Sequence, residues 1–283
     1  MTARQAAVLG SPVGHSLSPV LHAAAYRVLG LDWSYGFHQV DEAGLAGFLA
    51  GLDDSWAGLS LTMPLKRVAV GLCTELGATA AVVGAVNTIT FDAAGERRGD
   101  NTDVPGMVNA LAERGIERVP AAAVLGGGAT AASTLAALAR CCDGQVHAYL
   151  RSAAREAELQ ALAEVLGLAL VPHGWGRAAE AFGYPLVVAT TPGGATDQLV
   201  DRVPPGCGVL FDVAYDPWPT ALAAAWAAAG GEVLGGLDLL VHQAVLQVEL
   251  MTGLRGRAAE LVAAMRHAGL AVLAARRAAV AGG

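Results

Sequence analysis

Among the 18 basic residues of this chain, 17 are arginine and one is lysine, Lys66, in the stretch LSLTMPLKRV at residues 59–68. A charge that serves solubility or an ion pair can be arginine, and here it usually is. A guanidinium does not release its proton in a protein, whereas an ammonium on a flexible stem can exchange one. Lys66 is therefore a candidate acid/base group. The bland alternative, a surface lysine that escaped compositional drift, is not removed by this residue alone.

A second place that could do chemistry is VLGGGATA, which sets Gly126, Gly128 and Ala131 in G-x-G-x-x-G/A spacing behind an apolar strand pattern and ahead of a helical one. In that context one glycine makes the tight turn and a second lets backbone approach a pyrophosphate. A small third residue packs helix on strand, and the helix start offers N–H groups to phosphate. Residues 126–130, namely Gly126, Gly127, Gly128, Ala129 and Thr130, are the expected phosphate cradle; a merely structural turn is the alternative. An NAD site would carry Asp or Glu at the end of the next strand. This chain has AYLRSAARE there, with Arg151, Ser152 and Arg155 ahead of Glu156. Two guanidiniums and a hydroxyl suit the 2′-phosphate of NADP, which an acid would repel.

These residues need a scaffold, and strand-like and helix-like segments alternate almost from end to end, the pattern of an α/β protein. AAVLG reads as a first strand. Ser18 reads as the N-cap of a helix with Pro19 at its first position and Gly30 at its end. WSYGFHQV is a strand, Asp41 caps a helix running to Leu52, GLSLT and VNTITFD are strands, and DAAGE at residues 92–96 turns the chain back as a hairpin. The second half repeats strand, glycine turn and helix more cleanly, with strands at QVHAYL, LALV, PLVVATT, GVLFDVAY and EVLGG and a helix over residues 155–166. Domain boundaries are expected near Asp103 and Gly236, giving 1–103, a Rossmann-like 104–236, and closing helices over 237–283 that fold back on the first domain.

Bulk properties narrow the class. At 283 residues, two domains are the natural expectation. A hydrophobic fraction of 54% and a mean hydropathy of +0.46 come from alanine and glycine, and runs such as LAAAWAAAG are too short to span a bilayer. The first residues lack an apolar core of signal-peptide length. A net charge of −7 argues against a nucleic-acid or anionic-membrane surface and leaves room for a small anion in a local positive pocket. The four cysteines form no CxxC and the seven histidines no HExxH, so no disulfide framework and no metal are expected, and the cysteines read as small buried hydrophobes of a cytoplasmic protein.

The ordered set SPVGHSLSP, SLTMPLK, GAVNT, GDNTD, GGGATA, DVAYDPWPT and GLDLLVHQA resembles the shikimate dehydrogenase family over nearly the whole chain. The resemblance implies NADP-dependent, reversible reduction of 3-dehydroshikimate to shikimate in aromatic amino-acid biosynthesis. It implies Lys66 and Asp103 as the catalytic pair, Ser16 and Ser18 on the substrate carboxylate, Thr62 and Asn87 on ring hydroxyls, and Tyr215 and Gln243 as further substrate contacts. It also implies Thr190, Val213 and Gly236 on the nicotinamide and ribose side of the cofactor. Read without the family, Ser18 and Asp103 would be helix caps and Gln243 an ordinary polar helix position. His15 and His242 read as structural. The chain departs from the family's usual residues at Ala78, Ala129 and Leu150. An NAD-preferring quinate/shikimate dehydrogenase and a non-catalytic shikimate sensor are the competing readings, and a homodimer is left open.

Overall fold

The computed structural model describes residues 4–92 and 94–281. Contacts divide the chain into two units, residues 1–102 with 240–283, and residues 103–239.

The first unit runs β1 (Gln5–Gly10), α1 (Ser18–Leu29), β2 (Ser34–Gln39), α2 (Leu45–Ala50) and β3 (Trp56–Leu61). A 3-10 helix (Val68–Leu72), β4 (Glu75–Leu76) and α3 (Ala78–Val83) lead to the hairpin of β5 (Thr88–Phe91) and β6 (Arg97–Asp100). Its sheet has the order β2-β1-β3-β5-β6-β4, parallel across β2, β1 and β3 and antiparallel where β5 joins β3 and β6. Successive strand residues face opposite sides. Ala7, Leu9, Leu59, Leu61 and Ile89 bury one face with Leu45, Leu49, Leu65 and Ala80.

The second unit runs α4 (Asp103–Glu113), β7 (Ala122–Leu125), α5 (Ala129–Cys141), β8 (Val146–Leu150), α6 (Ala153–Leu166) and β9 (Leu170–Gly174). A 3-10 helix (Trp175–Gly183), β10 (Leu186–Ala189), a second one (Asp197–Arg202), β11 (Val209–Asp212), α7 (Ala221–Ala228) and β12 (Glu232–Leu234) complete it. Every strand pairs in parallel, in the order β12-β11-β10-β7-β8-β9. Such strands are covered on both faces and read as unbroken apolar runs; Ala122 to Leu125 and Leu186 to Val188 are fully buried. This is the doubly wound, Rossmann-like order, which reverses direction between β7 and β10. α8 (Gly236–Thr252) starts in this unit and from Leu240 onward belongs to the first, as does α9 (Ala258–Ala281). Leu240–Gly283 thus cluster with the first unit rather than the second.

Several local expectations need correction. Ser18 is the first helical residue of α1, not its N-cap; Leu17 holds that position and no side chain caps the helix. The Oγ of Ser16 accepts the Ser18 N–H instead, at 3.2 Å. Gly30 ends the helix in the left-handed region as expected. Asp41 does not cap a helix to Leu52: its Oδ1 accepts the Gly44 N–H at 2.8 Å and shapes the turn ahead of the shorter α2. Asp103 opens α4 as a helical residue rather than preceding it. Of the cysteines, Cys141 and Cys142 are buried, but Cys73 and Cys207 are only partly so; all four are free thiols.

The reading that every apolar run is too short for a bilayer also fails at one helix. Residues 258–279 of α9 meet the length and composition for a span, with a window of mean hydropathy 1.4. Alanine raises that average without supplying a continuous apolar surface. The buried positions Leu261, Met265, Gly269 and Leu273 recur every four residues, one stripe of a helix that packs on α1 within the unit.

Candidate active site

In the first unit the register places the polar residues at one end of the sheet. Ser60 pairs with Val8 on one side and Thr88 on the other, and Thr88 pairs with Asp100. The residues just beyond this row are Gly10, Thr62, Asn87 and Asn101. Thr62 donates its N–H to Leu9 O at 2.9 Å. A Cβ on Gly10 would lie 2.3 Å from Thr62 Cγ2, so only glycine lets the two chains approach this closely. Lys66 follows in the same turn, half-buried between the buried Leu65 and Ala69. Its carbonyl accepts the Val86 N–H at 2.7 Å, which anchors the lysine backbone beside the segment that carries Asn87.

Asn87 is almost fully buried and every end of its amide is used. Its Oδ1 accepts from the Thr102 N–H at 2.9 Å and the Thr88 hydroxyl at 2.8 Å. Its Nδ2 donates to Thr102 Oγ1 at 2.9 Å and reaches Gln243 Oε1 at 3.4 Å. Gln243, on α8, donates its Nε2 to Leu240 O at 2.8 Å. Asn87, Thr102 and Gln243 thus meet from residues far apart in sequence. Thr102 lies within the quoted GDNTD stretch, yet its spacing gave no sign that it would be a centre of this group.

The loop after β1 carries Ser16 and leads into α1 at Ser18, and this segment is braced from two sides. Arg276 on α9 donates to His15 O at 3.0 Å. His22, one turn into α1, bonds Ser18 O at 2.9 Å; a carbonyl only accepts, so Nδ1 carries the proton. The His22 ring is fully buried and stacks on Tyr35 with centroids 3.9 Å apart. Burial lowers its pKa from 6.5 to about 4, against a smaller raising effect of the Ser18 bond.

The sign of the pH dependence follows. The folded protein holds His22 neutral, whereas the unfolded chain takes up a proton near pH 6.5. Its contribution is therefore fully present above about 6.5 and is lost as pH falls toward 4, on the order of 3 kcal/mol in all. Urea unfolding of His22→Gln should show a flatter loss of stability between pH 7 and 4.5 than the parent. Equal slopes would mean that other groups dominate the acid limb.

In the second unit the candidate cofactor residues lie at the carboxyl ends of the parallel strands. Gly126 follows β7 with φ +115°, and a Cβ there would sit 2.6 Å from Thr190 Oγ1. Thr190 follows β10 and donates both its N–H and its hydroxyl to Leu125 O, at 2.8 and 2.9 Å. The two residues therefore touch where the strand order reverses, the usual ligand crevice of such sheets. A Cβ on Gly127 would meet Arg155 Cβ and Leu150 Cδ2 at 3.0 Å, while one on Gly128 would meet nothing within 4 Å. Open space thus lies against the start of α5, where Ala129 and Thr130 are the first helical residues and their N–H groups have no intrahelical partner. Val213 follows β11 and donates to Ala189 O at 3.0 Å. Gly236 follows β12, where a Cβ would lie 2.2 Å from Val213 O. Tyr215 sits half-buried in the loop after β11.

Arg151 directly follows β8 and is held in place although exposed. Its guanidinium lies 4.7 Å from the Trp175 ring centroid and its Nη2 donates to Ala195 O at 3.2 Å. Ser152 occupies the N-cap position of α6 without a side-chain cap bond. Arg155, in the first turn, pairs with Glu158 at 2.7 Å. Trp175 is a participant that sequence reading misses, because an isolated tryptophan 24 residues further along carries no spacing signal. Among the described residues no cluster of three or more metal-ligating side chains occurs.

The comparisons with known proteins agree with one another. Residues 8–89 match the family model described as the shikimate dehydrogenase substrate binding domain. A shikimate dehydrogenase (NADP(+)) of Methylobacterium radiotolerans is 37% identical over 264 residues, 89% of this chain and 93% of that protein. The chain belongs to the shikimate dehydrogenase family. A Thermus thermophilus relative of the same description is 36% identical over 88% of this chain and 92% of its own. Among solved structures, the shikimate dehydrogenase of Mycobacterium tuberculosis aligns with TM-score 0.84 and 37% identity, over 95% of this chain and 99% of that one. The Thermus thermophilus enzyme in complex with NADP(H) and shikimate aligns with TM-score 0.80 and 34% identity, over 94% and 99%.

Proposed function

We propose that this protein catalyses the reversible, NADP-dependent reduction of 3-dehydroshikimate to shikimate. In this reading the unit of residues 1–102 and 240–283 binds the substrate, the unit of 103–239 binds the cofactor, and the protein works in the cytoplasm on small molecules. The observation that carries it is the buried Asn87–Thr102–Gln243 group at the sheet end that also bears Thr62 and Lys66. Relatives that share the family are named as NADP-dependent, and one was solved with NADP(H) and shikimate together.

The second unit suits the cofactor on its own terms. The close approach of Gly126 to Thr190 and the open space at Gly128 leave room for a pyrophosphate against the α5 N-terminus. Arg151, Ser152 and Arg155 are the groups for the 2′-phosphate, and Thr190, Val213 and Gly236 line the side where the nicotinamide and its ribose would lie. When bound, NADPH supplies the hydride that adds to the carbonyl carbon of the substrate.

The chain's own residues do the rest. Lys66 gives a proton to the carbonyl oxygen during reduction and takes it back during oxidation, as a general acid and base. Asp103 is the carboxylate of the catalytic pair in this reading. The Ser16 oxygen accepts the Ser18 N–H, and a hydroxyl that accepts can still donate, so in this reading Ser16 and Ser18 are the donors to the substrate carboxylate. Thr62, Asn87, Gln243 and Tyr215 hold the ring substituents.

The test is purified protein with shikimate, following reduction of NADP by absorbance with NAD in parallel. Turnover with NADP and little with NAD is expected. Turnover with NAD alone would favour the quinate/shikimate alternative, and none with either would overturn the assignment.

A further inference from the structure

Gln247 has no place in the family pattern read from the sequence, yet it is 1% exposed on α8, one helical turn beyond Gln243. A glutamine buried to that degree must find partners for both ends of its amide. Its Nε2 donates to Asn87 O at 3.2 Å and to Thr88 Oγ1 at 3.0 Å, and its Oε1 accepts from Ser60 Oγ at 2.7 Å. Ser60 in turn accepts from the Tyr35 hydroxyl at 2.6 Å. Ser60 and Tyr35 lie on the sheet face opposite the Leu59–Leu61 core, the face that α8 covers.

The direction of every bond in this chain is determined by groups that have no choice. A backbone carbonyl only accepts, so the amine end of Gln247 must face Asn87 O. Its carbonyl end then faces Ser60, which must donate, and Ser60 must receive its own bond from Tyr35. Burial keeps the Tyr35 phenol protonated as that donor. On the other side, Thr88 receives from Gln247 and so passes its own hydrogen to Asn87 Oδ1. The Thr102 N–H, which only donates, imposes the same orientation on that oxygen. Both ends of the network agree, and the NH₂ of Asn87 is turned toward Thr102 Oγ1 and Gln243 Oε1. Gln243 is fixed likewise, since Leu240 O takes its amine end.

We propose that Gln247 is a positioning residue, which through Thr88 reinforces the polarity that the Thr102 N–H also imposes on the Asn87 amide, so that a ring hydroxyl of the substrate that replaces the long 3.4 Å contact between Asn87 Nδ2 and Gln243 Oε1 meets a donor on Asn87 and an acceptor on Gln243. This rests on the reading that Asn87 and Gln243 hold the shikimate ring. A hydroxyl satisfies both at once, accepting from Asn87 and donating to Gln243. A ketone or ether there leaves Gln243 without its hydrogen.

The test separates hydrogen bonding from packing by a pair of variants at Thr88. Thr88→Val keeps the volume and deletes the hydroxyl; Thr88→Ser keeps the hydroxyl and deletes a methyl. Thr88→Val should raise KM for shikimate about tenfold, while Thr88→Ser stays within about twofold of the parent. KM for NADP should be unchanged in both. Gln247→Leu should match Thr88→Val, and the double variant should add little to either, because each cuts the same chain. The opposite order at Thr88, or lowered thermal stability with an unchanged shikimate KM, would overturn the proposal while leaving the enzyme assignment intact. A parent protein that does not turn over shikimate would overturn both.

Discussion

Lys66→Arg is expected to keep the positive charge and lose turnover, lowering kcat about 10²–10⁴-fold, the range for a missing general acid/base. KM for shikimate should change by only about threefold on the same argument, because a cation remains to face the same oxygen. The fold should tolerate the change. The local structure is held by backbone and by neighbours: the Lys66 carbonyl receives the Val86 N–H, and Leu65 and Ala69 fill the core on either side. The lysine side chain itself is only half-buried. The comparison with Lys66→Met is informative, since that variant loses charge and proton together and should raise KM as well as lower kcat. Steady-state kinetics with thermal melts would check both. An arginine variant that turned over at the parent rate would remove Lys66 from the chemistry and leave it an ordinary surface charge.

The second large effect concerns the cofactor. Arg151→Ala should raise KM for NADP by about 10–100-fold, the loss of one or two hydrogen bonds to a charged group. KM for NAD, which has no 2′-phosphate, should stay near the parent value, so that the ratio of the two collapses. The reason to expect a strong effect from an exposed arginine is that it is not free to wander. Stacking on Trp175 and the bond to Ala195 O immobilise the guanidinium before any ligand arrives, so less side-chain entropy is lost on binding. Arg151→Lys should recover little, because a point charge on a flexible stem neither stacks nor offers a planar fork. Equal changes for NADP and NAD would mean that Arg151 shapes the loop rather than reading the phosphate.

Much of this molecule was legible from its amino acids alone, for reasons that are local. The buried parallel strands are continuous apolar runs. The Gly126 turn needs the φ of +115° that glycine adopts at little cost, so its spacing was visible. The absence of an acid after β8, and the arginines there, follow from charge. Lys66 stood out by being alone among arginines. The α/β class and the family therefore came from short-range pattern and from the order of motifs.

Short elements escaped that reading. β4 has two residues and α3 six, too few for a period to declare itself, and the 3-10 helices at 68–72, 175–183 and 197–202 have no amphipathic repeat to find. Ser18 and Asp41 do not cap the helices their types suggest, because a hydroxyl or carboxylate suited to a cap is equally suited to the turn one or two residues away.

What only the tertiary structure decided is which polar residues share a bond. Ser60 and Gln247 are 187 positions apart, and Asn87 and Gln243 are 156 apart. Nothing in local propensity links a serine inside an apolar strand to a glutamine on a distant helix. The link exists because α8 returns to the β3 face, where buried donors and acceptors without water must pair with whatever the fold brings within reach. Trp175 beneath Arg151 is the same case in the other unit. The chain by itself determined the kinds of groups available for chemistry, and the packing of its sheets and helices determined how they are oriented.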